Sequence, residues 1–226
     1  MVSMVSKVKL TEIMLLSQTS SSSLEKREKE LLLQQYYRGN EISLLNSEIW
    51  QVYRGVVQLS RVQQDGREVI SGWVTANGVF GNVADTSLVD RAVALGDVYA
   101  KCYSAQDIVR YPLLARQFVT QFSDRLIKSQ QLLTIVARSR VEDRLKDLLS
   151  LLKQDIGQSS EYGVRLPVRF THQHLAEAIH TTRVTITRVI GSFQEQNLIY
   201  FDRDRHIVIQ DLSSSSRKSS LFLKDS

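Results

Sequence analysis

Cysteine is nearly absent: among 226 residues only Cys102 occurs. One thiol cannot close an intramolecular disulfide or hold an iron–sulfur cluster, which needs several thiolates. Long apolar runs are missing too, so no segment has the length of a membrane span. The opening MVSMVSKVKLTEIMLL also lacks the small-residue cleavage site of a secretory signal. A cytoplasmic protein with no membrane partner is expected. Catalytic signatures are lacking as well: there is no glycine-rich phosphate loop, no zinc-protease motif, and no pattern pairing the lone cysteine with a histidine. The expectation is a non-enzyme that needs no cofactor. The four histidines stand at 172, 174, 180 and 206. His172 and His174, two residues apart, do not share a helix face, so no metal site is expected.

Nor is positive charge concentrated where a nucleic-acid domain would want it. Lys and Arg number 11 against 12 Asp and Glu over residues 1–109, 9 against 4 over 110–153, and 9 against 8 over 154–226. The last third is almost neutral, so recognition there depends on where a few cations are placed, with a dimer doubling whatever field exists.

Along the chain, residues 1–30 read as a poorly ordered N-terminal segment: a serine-rich run, Thr19 to Ser23, precedes LEKREKELLL, a helix or the lead into a first strand. From 31 to 111 the texture changes. Seven of the ten glycines lie between Gly39 and Gly96, separated by short runs rich in Val, Ile, Tyr and Trp. Such runs are strands. VVQLSRV and REVISGWV, joined by Gln64, Asp65 and Gly66, form the clearest hairpin, the Asp-Gly step supplying positive φ. The whole predicts a small antiparallel barrel or roll.

Pro112 opens a helix predicted over 112–138. Val119, Phe122, Leu126, Leu133 and Val136 fall close to a heptad seam, interrupted by Ser129. The seam pairs with its own copy in a parallel dimer or packs on the roll; different faces can do both. At Ser139-Arg140-Val141-Glu142 a capping-box pattern starts a new helix, placing a hinge near Arg138 and Ser139. Gly157 to Gly163 reads as loop and Leu166 to Arg169 as a short strand. Ile199 to Phe201 and Ile207 to Ile209 flank the turn DRDR as a hairpin, or wing. The tail 213–226, SSSSRKSSLFLKDS, has too little to bury and reads as flexible.

Between them lies THQHLAEAIHTTRVTITRVIGSFQEQNL. Thr171 caps a short helix with Leu175, Ala176 and Ile179 inward, and a second helix follows at once. Val184, Ile186, Val189, Ile190 and Phe193 form the inward stripe of the second helix, leaving Arg183, Thr185, Thr187 and Arg188 on or near the other side. Guanidinium forks suit guanine edges, and threonines suit phosphates or thymine methyls. Periodicity alone leaves a solvated surface helix equally open.

TTRVTITRVIGSFQEQNLI, preceded by HLAEAI, resembles the DNA-binding end of the cyclic-AMP receptor protein/FNR superfamily of bacterial transcription factors, and within it the cyanobacterial nitrogen-control activators. IWQVYRGVVQLSRVQQDGREVISGWVTANGVFGN is similar to the superfamily's sensor roll. The resemblance implies an α+β chain: an antiparallel, cyclic-nucleotide-binding-like β-roll over 31–111, a dimerisation helix over 112–138, and a winged helix-turn-helix over 139–212. It also implies an activator that binds a palindromic double-stranded DNA site as a homodimer, with RNA polymerase as partner. Thr171, Gln173, Thr181, Thr182, Arg183, Thr185, Thr187 and Arg188 are the implied DNA contacts, Arg183 reading guanine and Arg188 supporting it. Where the superfamily commonly has glycine in the inter-helix turn, His180 stands, and histidine tolerates positive φ better than most residues. Because Val184 follows Arg183, no carboxylate is available to accept from a cytosine amine, so the expected half-site is GTA rather than GTGA.

The lone cysteine removes FNR-type oxygen sensing. For the effector, Phe80, Gly81 and Asn82 match the superfamily's Phe-Gly motif, with Asn82 where cyclic-AMP binders carry glutamate. Arg91 and Arg125 fall where the nitrogen-control activators place two arginines on 2-oxoglutarate, and two guanidinium forks suit a dicarboxylate. Equally open is an ordinary role, with Arg91 paired to a surface acid and Arg125 to Asp124 or another helix residue. Two functions follow: a DNA-binding regulator controlled by a small anion, or a constitutive one whose roll is a structural or protein-docking module.

Overall fold

A computed structural model describes residues 33–44, 48–64, 66, 68–82 and 91–210, so the N-terminal segment 1–30 and the tail 213–226 lie outside the described residues. Among the described residues the chain builds three antiparallel sheets. In the roll, β1 (Gln34–Tyr36), β7 (Val98–Ser104), β2 (Glu48–Arg54) and β5 (Val79–Asn82) form one, in that order. The second runs β4 (Glu68–Val74), β3 (Val57–Val62), β6 (Arg91–Ala94). The expected hairpin is β3–β4, with Val62 opposite Glu68 and Gly66 at φ 79° in its turn. Alternation fills the space between the sheets. In β7, Val98, Ala100 and Cys102 are buried among Trp50, Val57, Leu59 and Phe80, while Tyr99, Lys101 and Tyr103 face away.

Ser104 caps a short helix, α1 (Ala105–Arg110), and Pro112 sits in the first turn of α2 (Pro112–Val136). Leu114, Phe118 and Phe122 of α2 pack on Ile49, Val79 and Tyr103 of the roll. Val119, Leu126 and Leu133 point the other way, 66%, 61% and 67% exposed. The expected seam therefore splits. Phe122, Ser129 and Val136 lie three residues beyond those positions, a rotation that leaves them about 60° round the helix. Phe122 packs on the roll, and the Ser129 hydroxyl donates to the Ser71 carbonyl at 3.3 Å. Ser129 is thus a contact to the roll and not an interruption of the seam.

After a break, α3 (Val141–Ile156) begins one residue later than the sequence suggested. Arg140 is its N-cap, without a side-chain cap bond, so the expected Ser139 box does not form. The segment read as loop, 157–163, holds most of a hairpin, β8 (Gln158–Ser160) and β9 (Gly163–Arg165), whereas Leu166 to Arg169 is not strand. QSS carries no alternation to announce a strand. The alternating Leu166, Val168 and Phe170 are buried in the core beneath the helix-turn-helix instead. α4 (His172–Ala178), α5 (Arg183–Glu195), β10 (Ile199–Phe201) and β11 (Ile207–Ile209) complete the chain, and the third sheet runs β10-β11-β9-β8. One apolar cluster carries Leu145, Leu149, Leu175, Ile179, Ile186, Ile190 and Phe193 of this winged unit. It continues into the roll through Val56, Ile70, Trp73 and Leu95. Among the described residues no helix is long and apolar enough to cross a membrane.

Candidate nucleic-acid interface

Thr171 caps α4 reciprocally: its hydroxyl accepts from the His174 amide at 3.1 Å, and the His174 imidazole faces the Thr171 amide. α4 stops at Ile179, and His180 takes φ 52°, the left-handed turn expected of it. One stabilising contact left no trace in the local pattern. From α3, Arg144 reaches over to donate to the Ile179 carbonyl at 2.8 Å, holding a carbonyl that the turn leaves without a helical partner.

Thr182 then caps α5, its hydroxyl accepting from the Thr185 amide at 3.2 Å and meeting the Thr185 hydroxyl at 2.9 Å. Ile186, Val189, Ile190 and Phe193 are buried, but Val184 is 79% exposed. Its apolar type assigns Val184 to the inward stripe, but at about 100° per residue it lies roughly 160° round the helix from Ile186, on the outward side beside exposed Arg183, Thr187 and Arg188. Its methyl groups are thus available to a thymine methyl.

The threonines are already partly engaged. Thr185 serves the cap, and Thr187 donates its hydroxyl to the Arg183 carbonyl at 2.9 Å while touching His172 Nδ1 at 2.8 Å. Gln173 of α4 donates to Glu177 at 2.7 Å. Thr181 is half-buried, whereas Thr171 and Thr182 are exposed. Among the described residues neither Arg183 nor Arg188 is ion-paired. The outward face of α5 therefore offers two unneutralised guanidinium groups flanking an apolar spot.

The wing is braced from beneath. Arg165 Nε donates to Asp202 at 2.6 Å, Arg165 Nη2 meets His206 Nδ1 at 2.6 Å, and the His206 amide donates to Asp202 at 2.8 Å. Burial pushes the Asp202 carboxyl up, but the Arg165 and His206 bonds and their charges win and hold it at about 2. Asp202, Asp204 and His206 gather their ligand atoms within 4.8 Å. Arg165 already supplies the positive charge at that cluster.

In the roll, Phe80 is fully buried and stacks on Trp50 with centroids 6.5 Å apart. Gly81 takes φ 130° with its α-carbon against the Glu48 carbonyl, where a side chain would collide with backbone. Asn82 closes β5 opposite Glu48. Arg91 pairs with Glu41 at 3.2 Å and Glu68 at 3.0 Å, and its hydrogen bond to Glu41 and the Glu68 charge raise its pKa. Arg125 lies instead on a cavity of about 270 Å³ between α2 and the β4–β5 turn, lined also by Trp73, Asn77, Gln121, Asp124 and Lys128. Burial lowers the Arg125 pKa, and no acid pairs with it among the described residues. Arg91 does not line that cavity. The residues 83–90 that join Asn82 to Arg91 lie outside the described residues.

A family model described as a Crp-like helix-turn-helix domain matches residues 139–214. A global nitrogen regulator of Synechococcus elongatus is 29% identical over 201 residues, spanning 84% of this chain and 90% of its own. A protein of the same name from Synechocystis is 29% identical over 180 residues, 75% of this chain and 79% of its own. Among solved structures, a CRP-family transcriptional regulator from Thermus thermophilus superposes with TM-score 0.69 at 16% identity, covering 79% of this chain and 92% of its own.

Proposed function

We propose that this chain, a transcriptional regulator of the CRP/FNR superfamily with the nitrogen-control subgroup among its relatives, binds a palindromic promoter site as a homodimer, under control of a small anion such as 2-oxoglutarate. The observation that carries the reading is the outward face of α5, where unpaired Arg183 and Arg188 flank exposed Val184. Arg183 reads a guanine and Arg188 supports it, Val184 takes the neighbouring thymine methyl, Thr171, Gln173, Thr181, Thr182 and Thr185 hold phosphates and set register, and Thr187, whose proton goes to the Arg183 carbonyl, offers its methyl group to the duplex. A two-fold axis along α2 places two such faces about one helical turn of duplex apart. RNA polymerase is the partner at the promoter, and the cytoplasm is where the protein meets its DNA.

The exposed stripe Val119, Leu126, Leu133 supports the dimer. Arg125, half-buried beside a cavity that Lys128 and Asp124 also line and without an acid partner among the described residues, supports an anion site, and Phe80, Gly81 and Asn82 shape the adjoining roll backbone. For Arg91 to join Arg125 on a dicarboxylate it must leave Glu41 and Glu68. An effector with higher affinity for that rearranged state would shift the population toward it. Selection from random duplexes tests the DNA reading: GTA half-sites support it and GTGA half-sites overturn it. Calorimetric titration with 2-oxoglutarate in the presence of the selected duplex tests the effector, and absence of heat counts against it.

The Arg91 pairs favour a second reading, a constitutive regulator whose roll is structural. Footprinting with and without cell-extract metabolites separates the two, since an invariant footprint supports the second.

A further inference from the structure

His172 is the first residue of α4, and its ring lies where α4, α5 and the wing hairpin meet. Nδ1 is 2.8 Å from the Thr187 hydroxyl of α5, and the ring lies against Phe201 of β10 with centroids 6.4 Å apart. The charged groups that face it are Arg183 from α5 and Arg205 from the wing turn. Its tautomer follows from the neighbouring bond. Thr187 has one proton and gives it to the Arg183 carbonyl at 2.9 Å, a group that can only accept. For both contacts of the one hydroxyl to be hydrogen bonds, Nδ1 carries the hydrogen shared with Thr187, which leaves a lone pair on Nε2 in the neutral ring. A phosphate oxygen is also an acceptor. It can bond Nε2 only if that nitrogen gains a proton.

We propose that His172 takes up a proton as the duplex docks, Nε2 then donating to a backbone phosphate, so that affinity for DNA rises as pH falls. The proposal rests on the reading of α5 as the DNA-reading helix. In the free protein, burial and the charges of Arg183 and Arg205 hold the imidazole below its ordinary pKa, so it is neutral at physiological pH. Docked phosphates reverse that: they neutralise both guanidinium groups and add a negative charge beside the ring. The bound pKa therefore exceeds the free one, and proton uptake accompanies binding in the window between them.

The test uses the full chain and a duplex carrying two GTA half-sites, with affinity followed by fluorescence anisotropy between about pH 8 and pH 6. The wild type gains about threefold or more per pH unit as pH falls through the bound pKa, and His172→Gln loses that slope while keeping the wild-type far-ultraviolet spectrum. A second measurement needs no variant: calorimetry of the wild type in two buffers of different ionisation heat reports net proton uptake. Equal slopes in wild type and H172Q, zero uptake, or a slope abolished by His206→Gln and not by H172Q would each overturn the proposal. Absence of duplex binding at every pH would overturn the DNA reading along with it.

Discussion

Trp73 of the roll meets Phe170 of the DNA-binding unit edge-on, with ring centroids 6.0 Å apart and planes at 89°. Both rings are buried, so the contact is a piece of shared core between two units that the sequence separates by a helix. Arg38 reinforces it by donating to the Arg169 carbonyl at 3.0 Å. The helix-turn-helix is thus positioned by direct packing on β4 as well as by the α2–α3 break, and a change in the roll has a short route to α4.

Truncating one ring opens that shared core. Phe170→Ala is expected to lower stability by about 3 kcal/mol or more, the usual cost of losing a buried aromatic. Urea unfolding monitored by tryptophan emission checks it, because Trp73 loses its partner. A cost below about 1 kcal/mol would show that the two units do not depend on the contact.

Arg183→Ala is expected to lower affinity for the GTA palindrome by about 1 to 3 kcal/mol, the value of one bidentate base contact. Binding to unrelated duplex should change less, since a lost base contact relaxes specificity. Equal losses on both duplexes, measured by competition at fixed salt, would make Arg183 a phosphate contact.

On α2, Leu126→Glu should leave the protomer folded, because Leu126 is 61% exposed within it, and should convert a dimer to monomers. Sedimentation equilibrium reads the mass. A variant of unchanged mass would remove the Val119, Leu126, Leu133 stripe as the dimer contact.

The Asp202 carboxyl gives a pH prediction with a definite sign. Its folded pKa of about 2 lies below its ordinary value, despite burial, through the Arg165 and His206 bonds. Its contribution to stability is therefore complete above the ordinary carboxyl range and is lost as pH falls through that range toward the folded value. Asp202→Asn should be less stable than wild type at neutral pH, the gap narrowing on acidification. Denaturant midpoints across that range measure it, and a constant gap would show that the carboxylate charge plays no part.

Freeing Arg91 offers a test of the sensor. Glu68→Gln removes one of its two carboxylate partners, so if 2-oxoglutarate competes for Arg91 its affinity should increase several-fold, by about the 1 kcal/mol that an exposed ion pair is worth. Titration calorimetry on both proteins checks the direction. Unchanged binding would place the effector, with Arg125, away from Arg91.

Which residues could be placed in advance depends on the interaction that holds each one. Local chemistry was legible. Thr171 as a cap, positive φ at His180 and at Gly66, Pro112 at a helix start and the strands around DRDR all follow from backbone geometry within a few residues. The inward set Ile186, Val189, Ile190 and Phe193 also followed, because one helix turn repeats wherever the helix is placed. Val184 did not: its apolar type pointed inward, but at about 100° per residue it lies roughly 160° from Ile186, on the outward face of the helix. Ser139 caps nothing, because a capping pattern works only when the helix starts directly after the residue that carries it, and here Arg140 is the N-cap.

The strand-rich character of the roll, the helix opened by Pro112, the helix pair around His180 and the identity of the cations on α5 were written into the primary structure, because periodicity, turn chemistry and residue type act over spans of a few residues. Packing in three dimensions turned Ser129 and Phe122 to the roll, held Arg91 between Glu41 and Glu68 while leaving Arg125 on a cavity, and brought Arg144 onto the turn before α5. Those outcomes depend on which surfaces meet after the chain has folded back over tens of residues, and side-chain pairing across such distances leaves no local pattern.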